Sequence, residues 1–472
     1  MTQSFFYEKI KINFKFLLNK YELFLIAPII FNFIFNLFNG AIYKFSFFNI
    51  FDIFSSFLLF IFLYQVGKLL QCKFPGITIS FGIYIYIVSF FMFESLILFI
   101  FLDVDLKTSF IAVNLIWIFI FLIGNLKYKN LFYVFFTYLI QILFNRSYFG
   151  NFSKNLNILG DVNDVFFRQT ENIYNFSFFY SVTNPVIEGY PQFLSYIDSL
   201  LFMISFNSSE YLFMQTNSLV FFWLTLFLIY EMPLNKYFKY FSMVVFASIV
   251  LNSGWLQFLF LSSLMSERIA GYIFFAGLFC ILNSKHDTKI QKLIFLFLGF
   301  NFYNKQFFSI FTVLLLIYFV INKEYRKNSF YLIFPILLKQ LSYSTYFIGI
   351  AKDRHISQLD LKDTIIDLIL FRNVNYSNIK TIFINLVVDK PITYLLIILI
   401  LLIVCKLIVK IKFDQSQIIY ISLIISNLVF ILLLYSSVWR NMELLSPVRY
   451  IYSFLIIYIY MFTKTLEQLK EK

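Results

Sequence analysis

The chain alternates long apolar blocks with short gaps that carry most of its lysines and arginines. A spanning helix needs about 20 mostly apolar residues, and on that scale the blocks predict about fourteen membrane helices, with twelve as the lower bound. They lie near 22–43, 50–67, 76–101, 108–125, 130–145, 211–231, 237–252, 269–284, 288–303, 306–322, 329–350, 391–409, 416–436 and 448–464. The pattern therefore predicts an all-α, polytopic transmembrane helix bundle. One stretch breaks it: Arg146 to Tyr190 holds acidic residues that have no use in a membrane span.

Lysine and arginine accumulate on the cytoplasmic side of membrane helices. Alternate gaps carry Lys68 and Lys73; Lys127 and Lys129; Lys236 and Lys239; Lys285, Lys289 and Lys292; Lys323, Arg326 and Lys327; Lys410 and Lys412; and Lys464, Lys470 and Lys472. All fall on the side of the N-terminus, itself basic at Lys9, Lys11, Lys15 and Lys20, provided that the apolar run Pro191–Phe206 does not cross. That run is short and contains Asp198, so it is read as a helix lying on, or dipping into, the outer interface.

The resulting organisation is one membrane domain. It has N-terminal helices over 1–145, an extracytoplasmic loop with short helices over 146–210, central helices over 211–350, a second outer loop over 351–390 and C-terminal helices over 391–472. Both ends are expected in the cytoplasm.

Composition strengthens the membrane reading: 60% of the 472 residues are hydrophobic and 13% charged, with a mean hydropathy of +0.80. Soluble domains are roughly half apolar and a quarter charged. The 70 Phe and 33 Tyr, with abundant Ile, Asn and Lys, follow the residue usage of an AT-rich genome and signal no stacking site. The net charge of +13 sits in the gaps that orient a membrane protein, so nucleic acid is not an expected partner. Cys72, Cys280 and Cys405 are scattered, without metal or disulfide spacing. They read as core or lipid-facing residues. His286 and His355 fall on opposite sides and cannot share a metal. Glu94 and Lys339 lie inside apolar runs and are expected to face the bundle interior.

Within the polar break the chain reads Gly160-Asp161-Val162-Asn163-Asp164, and it closes on Glu188-Gly189-Tyr190-Pro191-Gln192-Phe193. Further on come Asn207-Ser208-Ser209-Glu210-Tyr211, Gly299 to Gln306 around Lys305, and Ser446-Pro447-Val448-Arg449-Tyr450. From about residue 155 onward this order resembles the GT-C superfamily of membrane glycosyltransferases, the mannosyltransferase and arabinosyltransferase type. These take a sugar from a polyprenyl-phosphate carrier. The chain departs from the family in having about five spans before the acidic loop where many relatives have one, and Gln192 where a second proline is common.

The resemblance implies an inverting transfer on the extracytoplasmic face, in the inner (plasma) membrane of a bacterium. The donor would be a polyprenyl-phosphate-linked sugar, and the acceptor a glycan, a lipid or a protein. Such chemistry needs a base for the acceptor hydroxyl proton and positive charge for the leaving phosphate. Asp161 is the first candidate base and Asp164 the second. A solvated loop with an aspartate capping the next helix is the plain alternative for the pair. Lys305 and Arg449 lead the phosphate-binding candidates, followed by Arg268, Arg440, Lys352 and Arg354. Tyr190 and His355 complete the substrate-binding set. A cation at a helix end is commonly an interfacial anchor. No metal ligand set is visible, and a divalent cation is the one possible cofactor.

Two other readings compete, a transporter or lipid-carrier flippase and an O-antigen ligase or polymerase. Transporters commonly show paired repeats and broken helices near the midplane, and no such repeat is evident in the sequence. The topology is testable directly. Cysteine introduced as Ser153→Cys should react with an impermeant reagent from outside intact cells, and a C-terminal reporter should be active inside. Labelling of position 153 from the cytoplasmic side alone would overturn the orientation and the function built on it.

Overall fold

The computed structural model describes residues 50–99, 103–123, 128–147, 168–183, 193–205, 210–253, 266–283, 288–303, 306–338, 377, 380, 384, 390–433 and 448–471. About 90% of these residues are helical, without a strand among them. The principal α-helices are α1 (Ile50–Lys73), α2 (Ile79–Phe99), α3 (Leu106–Ile123), α4 (Tyr128–Ser147), α5 (Arg168–Asn175), α6 (Phe178–Thr183), α7 (Phe193–Ser205), α8 (Glu210–Glu231), α9 (Lys236–Asn252), α10 (Ser266–Asn283), α11 (Thr288–Gly299), α12 (Gln306–Ile321), α13 (Lys390–Ile408), α14 (Gln415–Leu433), α15 (Val448–Tyr452) and α16 (Leu455–Lys470). A 3₁₀ turn, Phe300–Tyr303, follows α11, and the short helix Arg326–Ser329 follows α12.

Five helices, within α1, α2, α3, α13 and α14, are long and apolar enough to cross a membrane, and shorter apolar helices fall in α4, α7, α8, α10 and α12. Among the described residues this is an all-α membrane protein. The predicted span at 22–43 lies outside the described residues, and that at 329–350 is described only as far as Leu338.

Chain direction defines two ends. The loop end is where α2 stops and α3 begins, and where α7, α8 and α10 start. The opposite end holds the turn between α1 and α2 and that between α8 and α9. Helices α1, α2 and α8 form the centre, with α4 packed on α1, α10 on α2 and α8, and α9 and α16 closing the far side. In hydrocarbon, helix pairs gain from close backbone approach at small residues and from polar bridges, and both occur here. Trp223 Nε1 donates to Ser56 Oγ at 3.1 Å, joining α8 to α1. Trp117 Nε1 donates to Ser89 Oγ at 2.9 Å and Tyr86 Oη to Asn114 Oδ1 at 3.0 Å, joining α2 to α3. Outward faces stay apolar: Ile111, Leu115 and Phe119 of α3 and Ile397, Ile400 and Leu401 of α13 are exposed.

Helix α7 behaves differently. It has 13 residues, too few to span, and all but Phe202 are buried. Protein surrounds it: α2, α3, α4, α5, α8 and α10 all pack against it. It thus dips into the bundle at the loop end. Asp198, which marked this run as non-spanning, is held there by Asn217 of α8, whose Nδ2 donates to Asp198 Oδ1 at 3.0 Å.

Helices α1 and α2 approach each other closely at two glycines. A Cβ on Gly82 would stand 2.7 Å from the Gly67 carbonyl oxygen, and one on Gly67 would stand 2.6 Å from that of Ile79. Backbone atoms meet there, and no side-chain rotation relieves a clash. Gly82→Val should therefore destabilise the bundle by about 1–3 kcal/mol, as overpacking does. Thermal unfolding in detergent checks this against Ile111→Val on the exposed face of α3, which should melt like the unaltered protein. Equal melting of the two variants would refute the close contact.

Candidate functional site

Buried polar groups lie at both ends of the bundle, and the ends differ in how those groups are satisfied. At the opposite end, charged groups are paired. Glu231 accepts the Ile79 and Ser80 amides at 2.7 and 2.8 Å, capping α2 from the end of α8. Glu467 accepts the Asn235 amide at 2.6 Å and pairs with Lys464 at 2.7 Å. Lys406, buried in the last turn of α13, donates to Gln417 at 2.8 Å and to Gln468. Asn328 donates to Gln291 at 2.7 Å. These contacts fasten helices to one another.

At the loop end, several buried atoms have no hydrogen-bond partner among the described residues: Glu94 Oε1, Ser95 Oγ, Ser109 Oγ, Gln169 Nε2, Tyr196 Oη, Asn217 Oδ1 and Asn301 Oδ1. At the opposite end the same holds for the Ser80 and Thr465 hydroxyls, but not for the carboxylates. An unmet buried polar atom costs about 1–3 kcal/mol, more when charged, so such a concentration is a feature to account for.

Glu94 is its centre. It is 3% exposed and sits five residues before the loop end of α2. Its electrostatic neighbours are Ser109 of α3 and Tyr196 of α7, with Asp103 and Asp105 adding like charge. The Ser109 hydroxyl stands near the carboxyl without closing a well-formed hydrogen bond to it. A carboxyl, the Ser109 hydroxyl and the Tyr196 phenol in one buried place offer the mixed donors and acceptors that a polyhydroxyl or cationic group would bind.

The walls are firm. Phe91 of α2 holds Phe178, Phe193, Tyr196, Phe300 and Tyr303 around it at ring separations of 4.6–6.4 Å, mostly edge to face, a favourable geometry for aromatic pairs. This cluster ties α2, α6, α7 and the 3₁₀ turn. Helix α5 is bolted to α7: Ser195 Oγ donates to Gln169 Oε1 at 3.0 Å, and Ser199 Oγ to the Thr170 carbonyl at 2.9 Å. Gln141 of α4 donates to the Ile204 carbonyl at 3.3 Å. The chain leaving the segment of Asp161 and Asp164 is thus anchored where it enters α5 at Arg168.

Asp161, Asp164, Tyr190, Lys305, Lys352, Arg354, His355 and Arg440 lie outside the described residues, as does Lys339. Arg268 falls in the first turn of α10 and Arg449 in that of α15. Those helices pack together, and a Cβ on Gly271 would stand 2.5 Å from the Ser453 carbonyl oxygen. The chain next to two further candidates is also brought together: Phe193, three residues after Tyr190, lies 6.4 Å from Tyr303, two residues before Lys305. Sequence reasoning placed Glu94 in the interior, where it is, and gave it no role. It did not single out Ser109, Gln169, Tyr196, Asn217 or Asn301. The available signal was polar residues recurring near one end of successive apolar runs.

Among the described residues no three His, Cys, Asp or Glu side chains gather as a metal ion would require. The fold and composition define the class, an all-α integral membrane protein. Compared with family models, with curated proteins and with solved structures, the chain matches none.

The contrast between the two ends predicts opposite behaviour for two glutamates. Glu231→Gln weakens charge-assisted bonds to the start of α2 and should lower stability by about 1–2 kcal/mol, seen as earlier melting in detergent. Glu94→Gln, where no partner among the described residues is lost, should leave melting unchanged. Equal losses for both variants would mean that Glu94 is a structural anchor like Glu231.

Proposed function

We propose that the protein is an integral-membrane, inverting glycosyltransferase that moves a sugar from a polyprenyl-phosphate carrier to an acceptor at the extracytoplasmic face. In this reading about fourteen helices cross the bilayer, both termini are cytoplasmic, and the loop end faces outward from the plasma membrane. The observation that carries it is the buried carboxyl of Glu94, whose Oε1 has no hydrogen-bond partner among the described residues, near Ser109 and Tyr196 on helices α3 and α7, the second of which also holds α5. The order of motifs along the chain, similar to that of the GT-C superfamily, supports the same reading.

The chemistry is one displacement. The acceptor hydroxyl oxygen attacks the anomeric carbon and its proton passes to Asp161, or to Asp164 if that residue is the base. The bond from the anomeric carbon to the phosphate oxygen breaks, and its electron pair leaves with the phosphate. Lys305 and Arg449, with Arg268 or Arg440, stabilise that charge, because a phosphate near hydrocarbon needs charge-assisted donors. Tyr190, Arg354 and His355 contact the sugar or the carrier phosphate. Glu94 and the hydroxyls near it meet sugar hydroxyls, which are the donors that the carboxylate lacks.

A transporter or flippase needs polar groups free to exchange partners on both halves of the bundle. Here Glu231, Lys406 and Glu467 at the opposite end are each committed to a neighbouring segment, at Ile79, Gln417 and Asn235 respectively, which favours the enzyme. An O-antigen ligase or polymerase would use the same carrier and is separated by its product.

Transfer from a radiolabelled polyprenyl-phosphate sugar should be measured in membranes holding equal amounts of each variant. Asp161→Asn keeps the shape, removes the basicity and should lower the rate by about 100- to 10,000-fold. Loss of a helix cap alone would cost about 1 kcal/mol of stability with little effect on rate. Near-normal transfer by Asp161→Asn eliminates it as the base, and a collapse confined to Asp164→Asn moves the role to that residue.

A further inference from the structure

At the end of the bundle away from the candidate site, a cavity of about 450 Å³ opens between the start of α9 and the end of α16, lined by Asn235, Lys236, Tyr237, Phe238, Lys470 and Glu471. We propose that it binds the phosphodiester headgroup of an anionic phospholipid. The inference is independent of the glycosyltransferase reading.

Charge comes first. Lys236 and Lys470, both exposed, approach the cavity from different helices. Two ammonium groups of different helices at one cavity offer the positive charge that a phosphodiester would meet. The carboxylates are engaged nearby: Glu471 accepts the Asn235 side-chain amide at 3.0 Å, and Glu467 is held by the Asn235 backbone amide and Lys464. The same bonds fix the α8–α9 turn, so the cavity is built before a ligand arrives. Lys470 Nζ stands 5.8 Å from the centre of the Phe238 ring, which steadies its long stem.

Apolar surface then decides between a lipid and a free anion. Tyr237, Phe241 and Val244, spaced four and three residues apart, are 83%, 41% and 43% exposed. On a helix that spacing makes one stripe, and it leads from the cavity along the bundle beside α16, where Phe241 meets Phe462 at a ring separation of 6.0 Å. A soluble phosphate has no use for such a stripe, whereas a lipid would lay an acyl chain along it. Basic pockets at the ends of membrane helices, with tyrosine at the interface, suit anionic headgroups.

The test uses the full chain purified in neutral detergent, with native mass spectrometry after addition of phosphatidylglycerol, phosphatidylcholine or inorganic phosphate. The unaltered protein should retain phosphatidylglycerol over phosphatidylcholine, and excess inorganic phosphate should not displace it. The double variant Lys236→Gln/Lys470→Gln should lose about tenfold in phosphatidylglycerol occupancy, since each lysine near an anionic headgroup contributes measurably. Lys236→Arg/Lys470→Arg should retain it. Melting of each variant, compared with that of the unaltered protein, shows that the fold is kept. Three results would each overturn the site: equal retention of the two lipids, displacement by inorganic phosphate, or full retention by a folded glutamine variant. Should the glutamine pair unfold, Lys470→Gln alone carries the same comparison.

Discussion

A backbone surrounded by hydrocarbon has no water to bond, so each amide and carbonyl must be satisfied within its own helix or by a neighbouring segment. That constraint explains why helices are the described structure of this chain and why their ends are where its polar chemistry sits. The first amides of a helix and its last carbonyls have no partner in the helix. Glu231 meets this demand for α2, accepting the amides of Ile79 and Ser80, and so joins the beginning of one central helix to the end of another. With hydrocarbon outside and apolar side chains inside, little else distinguishes one neighbour from another. The specificity of assembly rests on such bridges and on places where two backbones touch, as at Gly67 and Gly82.

The two ends of the bundle use the same residue types for different purposes. Where Glu467, Lys464 and Asn235 meet, each group satisfies another, and the product is a fixed turn. Around Glu94 the hydroxyls and the carboxyl lie close without satisfying one another. Stability alone does not reward that arrangement, because each unmet group subtracts from it. A bound molecule that brings complementary donors and acceptors would reverse the sign. Helix α7 makes the place possible. Too short to span and enclosed on all sides, it carries Tyr196, Asp198 and Ser195 below the level of the loops, and its hydrogen bonds to α5 hold the chain that leads back to Asp161 and Asp164.

Much of this was legible in the residue order. The apolar blocks give helices close to where they are found, the run containing Asp198 gives the 13-residue helix α7, and Glu94 was placed in the interior because lipid would not tolerate it. The partners of these residues were not legible. Asn217, Ser109 and Gln169 are ordinary polar residues in apolar surroundings, and only packing brings Asn217 to Asp198 and Ser109 towards Glu94. A chain this rich in Phe and Tyr also hides its aromatic clusters, since composition cannot tell Phe91, which gathers five rings, from Phe119, which is exposed.

The sequence by itself determined that this is a helical membrane protein and where its helices run. Both follow from local quantities, hydropathy and block length, that need no knowledge of neighbours. The tertiary structure alone decided which helices touch, that α7 packs against six others, and that carboxylates are paired at one end of the bundle while Glu94 Oε1 has no hydrogen-bond partner among the described residues at the other. Those facts depend on contacts between residues far apart in the chain, such as Ile79 with Glu231 and Asn235 with Glu467. In an almost uniformly apolar sequence the hydrophobic pattern assigns a side chain to a helix but not to a partner, because every apolar face fits lipid and protein alike.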